Sequence, residues 1–225
     1  PMSARRQRQM CIRDRSRGME YGEIVSMPET ERAIRTALQS AQKLANSRVD
    51  HVIACISGGS PRSYGLEGTV DIKTGIVDDN DIADVLGSCG IPAYGSDREV
   101  LHAQPVNFSL DHRTGLSDPR GQIGKKLSVD MHMLTVKEKT IHDLAYCLKR
   151  CDLELAGVAS ASYASALSSL VEDEKELGAA CIDLGGGSTN LAIFWKKHMI
   201  FAETIKMGGS CLLYTSDAAD EHSCG

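Results

Sequence analysis

No stretch of this 225-residue chain approaches the roughly 18 to 20 consecutive apolar residues that a membrane-spanning helix needs. The first residues lack the apolar core of a signal peptide, so the cytosol is the expected compartment. Excess positive charge is missing too: 25 Lys and Arg stand against 30 Asp and Glu, a formal charge of −5. Both signs are spread along the chain, which leaves no basic face for nucleic acid or an anionic membrane. Aromatic residues amount to only 4%. Ala, Ile, Val and Leu still recur in periodic runs, which argues against disorder and for a globular α/β chain able to bury a core. Internal repeats and low-complexity segments are absent.

The two ends read as foreign. A DNA string that encodes RRQRQMCIRDR (5–15) encodes CLLYTSDAADE (211–221) when its opposite strand is read one frame over, and it resembles a sequencing adapter. The expectation is therefore an adapter-like, disordered segment over 1–15, another over 211–225, and a natural fragment over 16–210. Cys11, Cys211 and Cys224 drop out on that basis, leaving Cys55, Cys89, Cys147, Cys151 and Cys181. They form no disulfide framework. Cys147 and Cys151 share a helix face, but neither a second cysteine pair nor a histidine cluster completes a zinc set, and buried thiols are expected. His51, His102, His112, His132 and His142 have none of the short spacings of a metal site.

What is present is an alternation of helix and strand, interrupted once. Residues 26–46 carry a helical stripe at Ala33, Ile34, Ala37, Leu38, Ala41, Leu44 and Ala45, opened by a Ser26–Glu29 capping-box pattern with Pro28 in the first turn. VIACIS (52–57) reads as a buried strand ended by Gly58-Gly59. From Gly58 to Val136 the texture changes to short strands, turns and one helix around Asp78–Leu86, a small α+β module. In it 99–111 is extended, with Pro105 arguing for an edge or a break in the ladder. Residues 126–136 alternate Leu127, Val129, Met131 and Met133 against Ser128, Asp130 and His132, a half-buried strand. Thr135 and Glu138 form another capping-box pattern before a helix through Cys151. Beyond it come a strand (153–160), a helix (162–174), a strand (179–184) and a hairpin of 190–195 with 199–205. The acid-rich 172–178 is a solvated helix end.

Between the last strands lies CIDLGGGSTNLAIF (181–194). A phosphate is met at hydrogen-bonding distance by backbone N–H groups that no Cβ obstructs, which Gly185, Gly186 and Gly187 allow. Ser188 and Thr189 add hydroxyls at the edge. Asp183 supplies a carboxylate for the hydrated magnesium that accompanies a triphosphate. The same string also reads as a glycine-rich hairpin turn with an exposed acid. A Walker loop needs a lysine and a following helix, and a dinucleotide fingerprint also opens a helix; neither fits.

Asp183 to Ser188 resemble the second phosphate loop of the actin and Hsp70-like ATPases. With SRGM (16–19), VIACISGG (52–59), REVLHAQPVNFSLD (98–111) and KKLSVDMHMLTV (125–136), the chain resembles the FtsA family of bacterial cell-division proteins over nearly all of 16–210. The fold implied is α/β: part of an actin-like (ribonuclease H-like) ATPase domain with an inserted small α+β subdomain. Residues 16–51 would be the first part of an actin-like subdomain, 52–136 the insert, and 137–210 the subdomain holding the second phosphate loop.

By that resemblance Asp183 would face Mg through water, Gly185, Gly186 and Gly187 would meet the phosphates of ATP, and Ser188 and Thr189 would line the rim. The role implied is a scaffold on the cytoplasmic face of the inner membrane at the division site. It would polymerise with itself, contact other divisome proteins, and link FtsZ filaments to the membrane through a C-terminal helix absent here. The other parts of the nucleotide site fall outside 16–210, so weak ATP binding is expected of this stretch. No catalytic residue is assigned. ASASYASAL (159–167) lacks the carboxylate that orients water in Hsp70-like relatives, which implies slow hydrolysis at most. The alternative is a phosphohydrolase or kinase of the same superfamily, such as an exopolyphosphatase-like enzyme. Asp111, Asp118 and Asp130 would then be its candidate acids, or else turn and surface acids.

Overall fold

A computed structural model describes residues 17–210; both adapter-like ends lie outside the described residues. The first elements are a small hairpin, β1 (Met19–Glu20) with β2 (Glu23–Ile24), and a helix, α1 (Met27–Ala45). Ser26 is the N-cap of α1, but its side chain makes no capping bond. Thr30 takes over at this corner: its Oγ1 donates to the carbonyls of Ser26 at 3.0 Å and Gly18 at 3.1 Å, tying helix to hairpin. Only part of the predicted stripe is covered. Ile34 and Leu38 pack against a core cluster, whereas Leu44 is 89% exposed.

The chain then builds β3 (His51–Ile56) and enters a four-stranded antiparallel sheet. That sheet consists of β4 (Arg62–Asp71), β5 (Arg98–Leu110), β6 (Arg113–Leu116) and β7 (Lys126–Lys137), in the order β4-β7-β5-β6. Helix α2 (Asp79–Ser88) covers one face. Asp78 caps it, accepting from the N–H groups of Asn80 and Asp81 while Asp81 returns a bond to the Asp78 N–H. Pro105 sits at a register shift in β5, beyond the reach of the short β6, so its missing N–H interrupts a ladder that is already irregular.

The body resumes with α3 (Glu138–Arg150), β8 (Glu154–Ser160), α4 (Ala161–Ser169), α5 (Glu172–Leu177) and the strands β9 (Ala179–Leu184), β10 (Thr189–Trp195) and β11 (His198–Ile205). β3 pairs in parallel with β8, not with the four-stranded sheet. Its residues thus lie on the body side, and the small sheet begins after Ile56. The capping box expected from Thr135 does not form. Thr135 stays in β7, fully buried, where its hydroxyl accepts from Arg98 Nε at 3.0 Å. Arg98, 8% exposed, also donates to the carbonyls of Ser60 at 2.7 Å and Thr135 at 2.9 Å. It thereby binds both chain crossings of the small sheet together.

Two cores result. One lies under α2, built on Val85, Leu110, Leu127 and Val129. The other joins Leu134 of β7 to Ala166, Ala192, Phe194, Met199 and Ala202 of the body. β7 serves both because its first half buries one face and its second half, from His132 onward, buries both. Cys147 and Cys151 are free and buried, and burial pushes both thiols above their usual range.

The β1–β2 turn packs on Gly58 so closely that a Cβ on Gly58 would collide with the Gly22 carbonyl. Gly58→Ala should cost about 1–3 kcal/mol through overpacking, measurable as a lower urea midpoint at unchanged m.

Candidate functional site

β9, β10 and β11 form one antiparallel sheet in that order, and Asp183, Asn190 and Thr204 are paired partners across it. They lie on the face that also carries Ala192 and Phe194 and that α4 covers. The three strands thus present one polar rung above an apolar core. Asp183 is half-buried: its Oδ2 accepts from Ser165 Oγ of α4 at 3.1 Å and from Asn190 Nδ2 at 3.5 Å. Thr204 Oγ1 donates to Asn190 Oδ1 at 2.8 Å.

The predicted glycine turn joins β9 to β10. Its closing bond runs from the Gly185 N–H to the Ser188 carbonyl at 2.9 Å. None of Gly185, Gly186 and Gly187 has a left-handed φ. Glycine is required at 185 for space, since a Cβ there would lie 2.9 Å from the Ser188 carbonyl oxygen. At 186 and 187 the protein's own packing makes no such demand. A Cβ would meet nothing nearer than 3.8 Å at Gly186 and 3.6 Å at Gly187.

A second segment holds the turn from one side. The N–H groups of Gly209 and Ser210 donate to the carbonyls of Gly185 at 2.8 Å and Gly186 at 3.0 Å. Gly208 makes that approach possible, because a Cβ there would sit 2.5 Å from the Gly186 oxygen. The N–H groups of Gly186 and Gly187 find no acceptor among the described residues. Carbonyls tied down on one side and free N–H groups leave an electropositive backbone edge suited to an anion. Lys206 lies beside Tyr21, which adjoins Gly187; its Nζ is 6.0 Å from the Tyr21 ring centre and ion-paired with Glu23 Oε1 at 3.9 Å.

The hydroxyls are arranged otherwise than at an open rim. Thr189 Oγ1 donates to the Met207 carbonyl at 2.7 Å, and Ser188 is only 6% exposed. The Thr189 hydroxyl thus ties the turn to the segment that follows β11. A carboxylate with an oxygen to spare and bare backbone N–H groups is a donor set that fits a hydrated hard cation and its phosphates. Among the described residues no three His, Cys, Asp or Glu side chains converge on a metal-sized site. Asp111 accepts from the N–H groups of Lys125 and Lys126, Asp118 pairs with Arg120, and Asp130 accepts from Asn107. These three acids serve turns and surface pairs.

Sequence reading missed Ser165, Asn190, Thr204 and Lys206. A signal for Asn190 exists, since it follows the turn at the distance that places it opposite Asp183. Ser165 and Thr204 carry none.

The profile of the family described as "SHS2 domain inserted in FTSA" matches residues 58–135, the stretch of the four-stranded sheet. Over 195 residues the chain is 36% identical to "Cell division protein FtsA" of Rhizobium meliloti (strain 1021), covering 87% of this chain and 44% of that protein. To the protein of the same description from Pseudomonas aeruginosa it is 33% identical over 194 residues, 86% and 46% of the respective lengths. The chain thus spans just under half the length of these relatives. Among solved structures, the "PilM-PilN type IV pilus biogenesis complex" superposes with a TM-score of 0.58 at 12% identity, covering 91% of this chain and 56% of that one. At that identity the likeness concerns fold alone. No helix among the described residues is long and apolar enough to cross a membrane.

Proposed function

Because this chain belongs to the FtsA family of actin-like cell-division proteins, we propose that its β9–β10 turn is a phosphate-binding loop of an ATP site. Gly186 and Gly187 carry the proposal: their N–H groups are free, and the fold's own packing would tolerate a side-chain carbon at either position. In this reading the backbone of Gly185, Gly186 and Gly187 meets the phosphates. Asp183 faces magnesium through water, while the Ser188 carbonyl and the Thr189 hydroxyl brace the turn. Magnesium would supply charge neutralisation on the phosphate oxygens when bound.

The role proposed for the whole protein is a filament-forming scaffold that links FtsZ to the inner face of the cell membrane. ATP then serves assembly more than turnover. The stretch 159–167 supports this: it runs from β8 into α4 and offers Ser165 to Asp183, but has no carboxylate to orient water.

Gly187→Ala in a protein of full family length tests the loop. A methyl group there would make only ordinary contact with Tyr21, at 3.6 Å, but would hinder the close approach of a phosphate to the backbone. ATP affinity in magnesium should fall at least about tenfold, the size of one or two lost charge-assisted hydrogen bonds. The melting temperature should stay unchanged. Unaltered affinity by titration calorimetry would remove the loop from the site.

A further inference from the structure

The Asp183 carboxylate is held from one side only. Both of its donors, Ser165 Oγ and Asn190 Nδ2, reach the same oxygen, Oδ2. Oδ1 has no hydrogen-bond partner among the described residues. Asn190 cannot turn freely, being 3% exposed and paired on both sides by β9 and β11. Its amide orientation is fixed by the Asp183 carboxylate, which only accepts, and Thr204 Oγ1 locks it by donating to the remaining Oδ1 at 2.8 Å. The NH₂ end is thereby turned toward Asp183. Ser165 supplies the second donor from α4, across the apolar core.

We infer that Ser165, Asn190 and Thr204 are positioning residues that fix Asp183 Oδ2 and leave Oδ1 for the hydrated cation of a metal–nucleotide complex. The inference rests on the reading of Asp183 as the metal-facing acid. Its physical basis is preorganisation: a carboxylate free to rotate loses that freedom on meeting a cation, whereas one already clamped does not. A rung with an apolar residue at 204 would leave the buried Asn190 Oδ1 without its donor and so loosen the amide that holds Asp183.

The test separates positioning from mere stabilisation by reading magnesium dependence. ATP is titrated into the protein of full family length, once with magnesium and once with EDTA. Thr204→Val and Ser165→Ala should each weaken binding in magnesium about tenfold, the usual scale for losing a ligand's orienting partner, and leave binding in EDTA within about twofold. Thr204→Ser, which keeps the hydroxyl, should restore the wild-type value. Asp183→Asn is the internal standard. If it weakens binding selectively in magnesium while Ser165→Ala and Thr204→Val do not, the positioning role is wrong and the proposed site stands. If Asp183→Asn itself has no magnesium-selective effect, the metal-facing reading fails and this inference goes with it. Should Thr204→Val prove unfolded by circular dichroism, Ser165→Ala alone decides, because its side chain lies on the helix and not in the sheet.

Discussion

Phe194→Ala should lower the unfolding free energy by about 3–5 kcal/mol, the range for deleting a buried aromatic ring. Phe194 is 1% exposed and lies parallel to Tyr163 with ring centres 5.9 Å apart. Its cluster includes Leu134, which belongs to β7 of the four-stranded sheet, together with Ala166 of α4 and Ala192, Met199 and Ala202 of the body sheet. Ser63 of β4 adds a polar tie at the same boundary, donating to the Ala202 carbonyl at 3.0 Å and accepting from its N–H at 2.9 Å. The ring therefore fills a core shared between insert and body. Urea unfolding followed by tryptophan fluorescence and by far-ultraviolet circular dichroism should show one coincident transition at a reduced midpoint. A loss below about 1 kcal/mol, or an insert that melts separately, would mean that the shared core does not couple the two parts.

Acid should weaken the fold well above the carboxylate range. His132 is 3% exposed, and its Nε2 has no hydrogen-bond partner among the described residues. Burial, with the nearby His102 adding to it, lowers its pKa from 6.5 to about 4. The unfolded chain therefore takes up this proton at higher pH than the folded one. Stability is fully present above pH 6.5, falls as pH drops from 6.5 toward 4, and levels off below. The shift corresponds to about 3 kcal/mol across that window. Burial also lowers His102 and His198, which act in the same direction. Asp78 and Asp111, held below 3.8 chiefly by backbone N–H bonds, lose their contribution only at lower pH and do not confuse the reading. Melting temperatures between pH 7 and 4 should fall steeply for the native chain and much less for His132→Phe. Parallel curves would show that the acid sensitivity comes from elsewhere.

Two further expectations failed, the first mainly through local side-chain bonding and the second through tertiary packing. Residues 162–174 read as one helix, yet α4 ends at Ser169 and α5 starts at Glu172. Ser168 and Ser169 both donate to the Ser165 carbonyl, at 2.9 and 2.7 Å, and compete with the helical ladder. Leu170 then packs on the shared core, and the Val171 N–H donates to Glu174 at 3.0 Å to start the next helix. His132 fell on the polar side of an alternating strand. It is buried because the body closes over that side of β7, which no alternation within the strand can report.

The sequence by itself determined the elements whose cause is local: the amphipathic helices, the alternating strands, and an acid two residues before a turn with three glycines. Those glycines are legible because backbone access depends on the residue's own missing Cβ. The state of Asp183 was decided only by the tertiary structure. Ser165 lies 18 residues from it, and Thr204 lies 14 from Asn190. The turn at Lys196-Lys197 pairs Trp195 with His198, a register that continued unbroken would set Asn190 opposite Glu203. A bulge between Ile193 and Phe194 moves the pairing by one residue, so Thr204 meets Asn190 instead. A one-residue slip turns every later side chain to the other face of a strand. Packing fixes that slip, and with it the rung that holds the carboxylate.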